Sequence, residues 1–279
     1  MSDQTLSQED LETFRRDGAV CLRGVIDQPW RDLLAHGIAR SMETPTIHAQ
    51  TYARDDQGAR YFMDTVHWGH IPEFMTYAND GPASALAAQA LGASTMVFLE
   101  QDWFYQDAGS SGRTPWHHDL PYYDLEGTFA TVWVPLDPAP DQVRLELIAG
   151  SHLWPDLYVP NSFDGKGAKA DVGVVRGKHF KSMPAFDDER DRYHILGWDM
   201  EPGDCVLFHC RTIHSGAPSQ TQGQFRRAAT RFAVADDCRI ARKGVSWSDF
   251  YENLPLNLDD GALVSSNPDY FPQVWPRTP

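Results

Sequence analysis

Gly203-Asp-Cys-Val-Leu-Phe-His-Cys-Arg-Thr-Ile-His-Ser-Gly216 opens on a Gly-Asp turn and continues into a strongly apolar, β-prone run from Cys205 to Cys210. It then delivers His214 beside small residues that leave room for a ligand. Runs of the same texture recur at 95–106, 128–136, 143–148, 193–199 and 225–235, separated by turn residues. Short strands at this spacing predict a barrel or a double-sheet jelly roll rather than βαβ units.

Outside that region the texture changes. Ser7 can cap a helix, with Asp10 in a capping-box position, Leu6 and Leu11 placed as a hydrophobic staple, and Gly18 as the stop. Ala19–Ile26 reads as a strand, Pro29 to about Met42 as a helix, and Ala83–Leu91 as an Ala-rich helix closed by Gly92. Residues 45–81 read as irregular and rich in aromatics and histidine, and His67, Trp68 and His70 there are candidates to approach a site. The expectation is a single domain over 1–279: a helical part at about 1–94, a β core at about 95–240 and an extension at about 241–279. The stretch 156–192 is long, polar and irregular, and reads equally as a lid or as a solvated excursion.

Composition narrows the function classes. A formal charge of -15 disfavours nucleic acid as a general partner, yet leaves a local basic pocket for a small molecule possible. Four cysteines occur without a C-x-x-C pair, which fits reduced, buried thiols. The N-terminus lacks a secretory pattern and no apolar run approaches a membrane span, so a soluble, cytoplasmic protein without a membrane partner is expected.

The chemistry-bearing cluster is Trp116-His117-His118-Asp119-Leu120-Pro121. In an extended segment His117 and Asp119 share a face while His118 points away. Two histidines and one carboxylate make a facial iron(II) site with open positions, so a distant histidine is required. His214 and His209 both qualify, and the small residues after His214 favour it. An H-x-D pair alone is weak; it gains weight from Gln224-Phe-Arg-Arg-Ala-Ala-Thr-Arg-Phe-Ala-Val234 downstream. There, alternation groups Arg226 with Ala228, Thr230, Phe232 and Val234 on one face, and Arg227 and Arg231 with Ala229 on the other. Taking the first face as interior makes Arg226 the expected anchor for a carboxylate ligand, with a structural ion pair to an Asp or Glu as the alternative.

These motifs, with Arg15-Arg-Asp-Gly-Ala-Val20 and Leu145-Glu-Leu-Ile-Ala-Gly-Ser-His152, resemble the phytanoyl-CoA dioxygenase family of iron(II)/2-oxoglutarate oxygenases over nearly the whole chain. The resemblance implies a mainly β fold with flanking α-helices, a cupin-like jelly roll or double-stranded β-helix. It implies His117, Asp119 and His214 as metal and catalytic residues, and Arg226 with Trp133 as co-substrate residues. It implies Fe(II), 2-oxoglutarate and dioxygen (O2) as cofactor and co-substrates, and hydroxylation of a small-molecule metabolite with decarboxylation of 2-oxoglutarate to succinate. The alternatives are a desaturase or epimerase of the same family, or a cupin-like metal enzyme that does not use 2-oxoglutarate. Asp119 argues against halogenation, since halogenating relatives have a small residue there. Gln106 stands where many members carry a lysine, which leaves one co-substrate or substrate contact open. Trp103, Tyr105, Arg113 and Tyr122 are the candidate substrate residues.

Overall fold

The computed structural model describes residues 4–54, 59–66, 70–110, 113–140, 144–159, 174–175, 178–216, 223–241 and 258–277. In chain order its elements are α1 (Gln8–Asp17), β1 (Ala19–Leu22), α2 (Gln28–Glu43), β2 (Gln50–Arg54), β3 (Arg60–Val66), α3 (Pro72–Asp80), α4 (Ala83–Leu91) and β4 (Met96–Gln106). There follow β5 (Leu125–Glu126), β6 (Phe129–Pro135), β7 (Leu145–Ile148), β8 (Leu157–Tyr158), β9 (Val174–Val175) and β10 (Lys178–Lys181). The last are β11 (Ile195–Leu196), β12 (Cys205–His209), β13 (His214–Gly216), β14 (Phe225–Val234), β15 (Arg239–Ile240) and β16 (Gln273–Trp275).

The start of the chain follows its local signals. Ser7 caps α1 in a reciprocal capping box with Asp10, and Gly18 ends it at φ 77, a left-handed conformation that glycine adopts without strain. A Cβ at Gly18 would also meet His152 Nδ1 at 2.3 Å, so the same residue lets α1 turn tightly against the core.

The large antiparallel sheet runs β1-β12-β6-β14-β4-β3-β2, with β16 beside β4. One face is covered by helices: Leu34, Ile38, Phe74, Tyr77 and Leu86 pack on Phe98, Trp103, Val132, Val134, Ala228 and Phe232. The opposite face, bearing Trp133, Val206, Phe208, Phe225 and Ala229, packs on Leu145 and Leu147 of the small sheet β11-β7-β13. Two sheets face to face with helices on one outer side make the expected jelly roll. Residues 45–81 depart from the expectation of an irregular region, because β2, β3 and α3 lie there. Both strands extend the large sheet at its edge, and partnering by β4 supplies the order that local propensity does not show. His67 and Trp68 lie outside the described residues, and His70 is exposed.

Nearly every residue of β14 is buried, because helices cover one face and the small sheet the other. A strand covered on both sides carries no apolar/polar alternation to mark its inner face. Cross-strand pairing does mark it. Thr131 lies opposite Arg231 and Trp133 opposite Ala229, so Arg227, Ala229 and Arg231 share the face between the sheets. Arg226 lies opposite Tyr105 and points to the other side. The inner face was therefore assigned in reverse by the sequence reading of this strand.

Candidate metal centre

His117 and His214 meet across a short antiparallel bridge between the 115–117 segment and β13. The His117 amide donates to the His214 carbonyl at 2.9 Å and the reverse bond is 2.7 Å. Asp119 reaches the same point by a turn, not by strand alternation: its φ of -69 and ψ of -41 start the short 3-10 helix Leu120–Tyr122. The side chains converge nonetheless. Asp119 Oδ1 lies 3.7 Å from His117 Nε2 and 3.6 Å from His214 Nε2, and the three side chains are buried. The donor atoms all lie within 4.8 Å of one another, close enough to hold one ion.

The surrounding bonds fix how each donor is presented. His117 Nδ1–H donates to the Pro115 carbonyl at 2.8 Å and His214 Nδ1–H to the Thr212 carbonyl at 2.9 Å. Both Nε2 lone pairs therefore face Asp119, the tautomer a metal needs. Burial lowers the pKa of both imidazoles, which keeps them neutral and able to ligate. Burial alone would push the Asp119 carboxyl up. The Arg231 guanidinium, through its charge and its hydrogen bond together, leads the opposing effects that hold Asp119 well below the usual carboxylate range. Asp119 Oδ2 accepts from Thr131 Oγ1 at 2.7 Å and Arg231 Nε at 3.0 Å. Two neutral nitrogens and one ionised oxygen are a donor set suited to iron(II) with positions left open.

His209 is not part of this cluster. Its Nδ1 accepts from the Arg211 amide at 3.1 Å and its ring stands 5.5 Å from that of His152. His118 points away, accepting at Nε2 from the Tyr158 amide at 3.0 Å.

Farther along the inner face lies a buried cation. The Arg227 side chain donates through Nη1 to Gln106 Oε1 at 2.8 Å and sits about 5 Å from the ring centroids of Tyr61, Phe104 and Phe225. Burial lowers its pKa. Among the described residues no carboxylate lies within ion-pair distance of it. Trp133 shares this face, its ring centroid 6.3 Å from that of Phe225. Arg226, the expected anchor, forms an ion pair with Asp137 on the other side, at 2.8 Å and 3.0 Å. That is the structural alternative weighed for it, and it removes Arg226 from the site.

The candidate substrate residues divide similarly. Trp103 faces the helices, fully buried, with its Nε1 donating to Ser41 Oγ at 2.9 Å. Tyr105 shares that side and lies under Arg60 at 5.9 Å. Alternate residues of β4 face opposite ways, so neither reaches the metal. Tyr122 lies beside the cluster, its ring centroid 5.6 Å from that of His117 in an edge arrangement. Arg113 bridges Ser215, the neighbour of His214, to Asp187 of the 180–193 segment. Sequence reasoning missed Arg227, Arg231, Thr131, Glu100 and Asp102. The signal was present in the carboxylates Glu100 and Asp102, two apart and thus on one face of β4.

The sequence matches the phytanoyl-CoA dioxygenase (PhyH) family over residues 14–228. It is 25% identical over 227 residues to the 1-deoxypentalenic acid 11-beta-hydroxylase of Streptomyces exfoliatus, covering 76% of this chain and 75% of that protein. It is 26% identical over 132 residues to a probable phytanoyl-CoA dioxygenase of Caenorhabditis elegans, a match spanning 46% of this chain and only 39% of the nematode protein. The fold superposes with a TM-score of 0.71 on the epimerase SnoN in complex with Fe3+, alpha-ketoglutarate and nogalamycin RO, at 22% identity over 96% of this chain and 98% of that one. No helix among the described residues is long and apolar enough to cross a membrane. The chain belongs to the phytanoyl-CoA dioxygenase family of non-haem iron, 2-oxoglutarate-dependent oxygenases, with His117, Asp119 and His214 as its facial triad.

Proposed function

We propose that this protein hydroxylates a small organic metabolite, and that Arg227, not Arg226, receives the distal carboxylate of 2-oxoglutarate. The observation that carries this reading is a buried guanidinium without a carboxylate partner on the same face as the triad. A buried charge left without an anion is costly, and a five-carbon dicarboxylate supplies one. Ala229, between Arg227 and Arg231 on that face, leaves space above the sheet, and Trp133 opposite it walls that space. About 13 Å of strand separates the two arginines, at about 3.3 Å per residue. Two long side chains and a chelating diacid can span that gap.

When bound, iron(II) and 2-oxoglutarate supply an oxidising equivalent from dioxygen, with release of succinate and carbon dioxide. The protein's part is positional. Neutral His117 and His214 and ionised Asp119 would hold the metal. Gln106 orients Arg227, and buried Phe208, 4.5 Å from the His214 ring, helps exclude water. Tyr122 beside His117, and Arg113 beside His214, are the chain's candidates to touch the organic substrate.

The test is turnover with candidate metabolites, measuring succinate and product mass together. Equimolar succinate and a product gaining one oxygen support hydroxylation. A product that loses two hydrogens, or keeps its mass with altered configuration, supports a desaturase or epimerase; SnoN is an epimerase. Turnover without 2-oxoglutarate would refute the co-substrate assignment.

A further inference from the structure

Behind Asp119 lies a cluster of buried charges. Arg231 is 6% exposed, Asp102 6%, Glu100 4% and Thr131 0%. Arg231 Nη1 contacts Asp102 Oδ2 at 2.5 Å and Glu100 Oε1 at 3.3 Å, while its Nε reaches Asp119 Oδ2 at 3.0 Å. Tyr123 donates to Glu100 and its ring lies 5.7 Å from the Arg231 guanidinium. A register shift between Arg231 and Phe232 on the β14–β4 ladder sits at this point. Such irregularities re-aim side chains beside sites. Buried ionic clusters commonly stabilise a fold no more than apolar packing of the same volume would. Their geometry is the more informative property.

That geometry treats the Asp119 oxygens differently. Oδ1 is the atom facing both imidazole Nε2 atoms, at 3.7 Å and 3.6 Å. Oδ2 accepts two short bonds, from the Thr131 hydroxyl at 2.7 Å and Arg231 Nε at 3.0 Å, whereas Oδ1 takes only a longer one, from Arg231 Nη2 at 3.3 Å. We propose that Arg231 is a positioning residue for the metal ligand Asp119: with Thr131 it occupies Oδ2 from behind, so that Asp119 meets the metal through Oδ1 alone. Asp102 and Glu100 hold the guanidinium against β4, so it cannot swing away from Asp119. The consequence is coordination number. A carboxylate bound through both oxygens would take a position that co-substrate or dioxygen needs; Arg231 keeps that position open. The same arrangement is an anion holder whose resident anion is the Asp119 carboxylate.

The inference rests on the metal reading of the triad and not on the co-substrate assignment. The full chain is therefore assayed without 2-oxoglutarate. Arg231→Met is paired with Asp102→Asn so that Asp102, the carboxylate nearest the guanidinium, is not left buried without its cation. Iron(II) affinity of this variant is expected to fall about 10- to 100-fold, as when other outer partners of metal ligands are removed. The visible bands of its cobalt(II) form should shift as Oδ2 joins the metal. Thr131→Val should move both readouts in the same direction by less. In Asp119→Gly, acetate should restore part of the metal affinity, and adding Arg231→Met with Asp102→Asn should abolish that rescue. A folded Arg231→Met/Asp102→Asn protein with iron affinity within twofold of the wild type and an unchanged cobalt spectrum overturns the proposal. If that variant does not fold, Arg231→Lys decides: weaker metal binding with a shifted spectrum supports the proposal, and wild-type values for both overturn it. Failure of 2-oxoglutarate to bind would leave these metal readouts unchanged, so the two readings fail separately.

Discussion

Replacing Arg227 with methionine should weaken 2-oxoglutarate binding strongly while leaving the metal-free fold intact. Arg227 is 7% exposed, and its side chain donates to a neutral amide, Gln106. A bound carboxylate would gain charge-assisted hydrogen bonds from the guanidinium fork, each contributing about 1.5–3 kcal/mol. With Gln106 and the aromatic wall still in place, a net loss of about 3–4 kcal/mol is reasonable for the variant. At about 1.4 kcal/mol per decade, that is roughly a hundredfold to a thousandfold in Kd. Folding should respond in the opposite sense. The wild type keeps a buried cation without an anion when 2-oxoglutarate is absent, so methionine should leave the metal-free melting temperature unchanged or raise it.

Arg226→Met is the matched control. It removes an ion pair whose side chains are 28% and 18% exposed, an interaction contributing about 0.2–1 kcal/mol to the fold. It should cost a little stability and leave 2-oxoglutarate affinity alone. The assay is an anaerobic titration of the iron(II)-loaded protein with 2-oxoglutarate, following the weak visible charge-transfer band of the chelate. A Kd within threefold of wild type in Arg227→Met, with a hundredfold loss in Arg226→Met, would reverse the assignment of the inner face of β14 and refute the reasoning.

Other perturbations test the rest of the site. His117→Ala and His214→Ala should each abolish iron(II) binding in a protein that still folds, whereas His209→Ala should retain it; metal content after desalting reads all three. Burial lowers the His209 pKa to about 4, so below the ordinary histidine value of about 6.5 the unfolded chain binds a proton that the folded chain does not. Stability from this group is therefore lost as pH falls from about 6.5 to 4, by roughly 2–3 kcal/mol. Denaturant unfolding of metal-free His209→Gln should show a correspondingly shallower acid decline, and a decline equal to that of the wild type would exclude the effect. Asp187 accepts from Trp116 Nε1 at 3.0 Å and from Arg113 Nη1 at 3.1 Å, tying the 180–193 segment to residues beside both ligand histidines. Asp187→Asn should speed proteolysis in that segment and raise KM for the organic substrate, with 2-oxoglutarate affinity unchanged.

Much of the molecule was legible where a residue's role is set by near neighbours. The Ser7 and Gly18 caps specify α1 through bonds within a few residues, and the strands from β4 to β14 announce themselves by texture between turns. His214 could be preferred to His209 because small residues follow it. β2 and β3 failed because their order comes from pairing, β2 with β3 and β3 with β4, the last a partner distant in sequence. Asp119 was placed correctly for an incomplete reason, since its backbone turns where an extended strand was expected. Trp103 and Tyr105 failed for the same cause as Arg226: on a sheet covered on both sides, apolar neighbours mark both faces equally.

The three arginines of β14 show what replaces the missing pattern. Each is a cation on one strand, and hydropathy cannot rank them. Their partners can. Arg226 has Asp137 and partial contact with solvent, so its charge is balanced without any ligand. Arg231 has Asp119, Asp102 and Glu100 around it; burial and the charge of Asp102 push the Glu100 carboxyl up to about 8. Three carboxylates share one guanidinium, an excess of acidic groups directly beside the place where a divalent cation belongs. Arg227 has a neutral amide and three aromatic rings, a deficit of negative charge at the other end of the same face. A dication at the first end and a dicarboxylate reaching the second correct both imbalances together. The charge pattern of the empty protein thus describes the pair of ligands that would neutralise it, independently of the family to which the chain belongs.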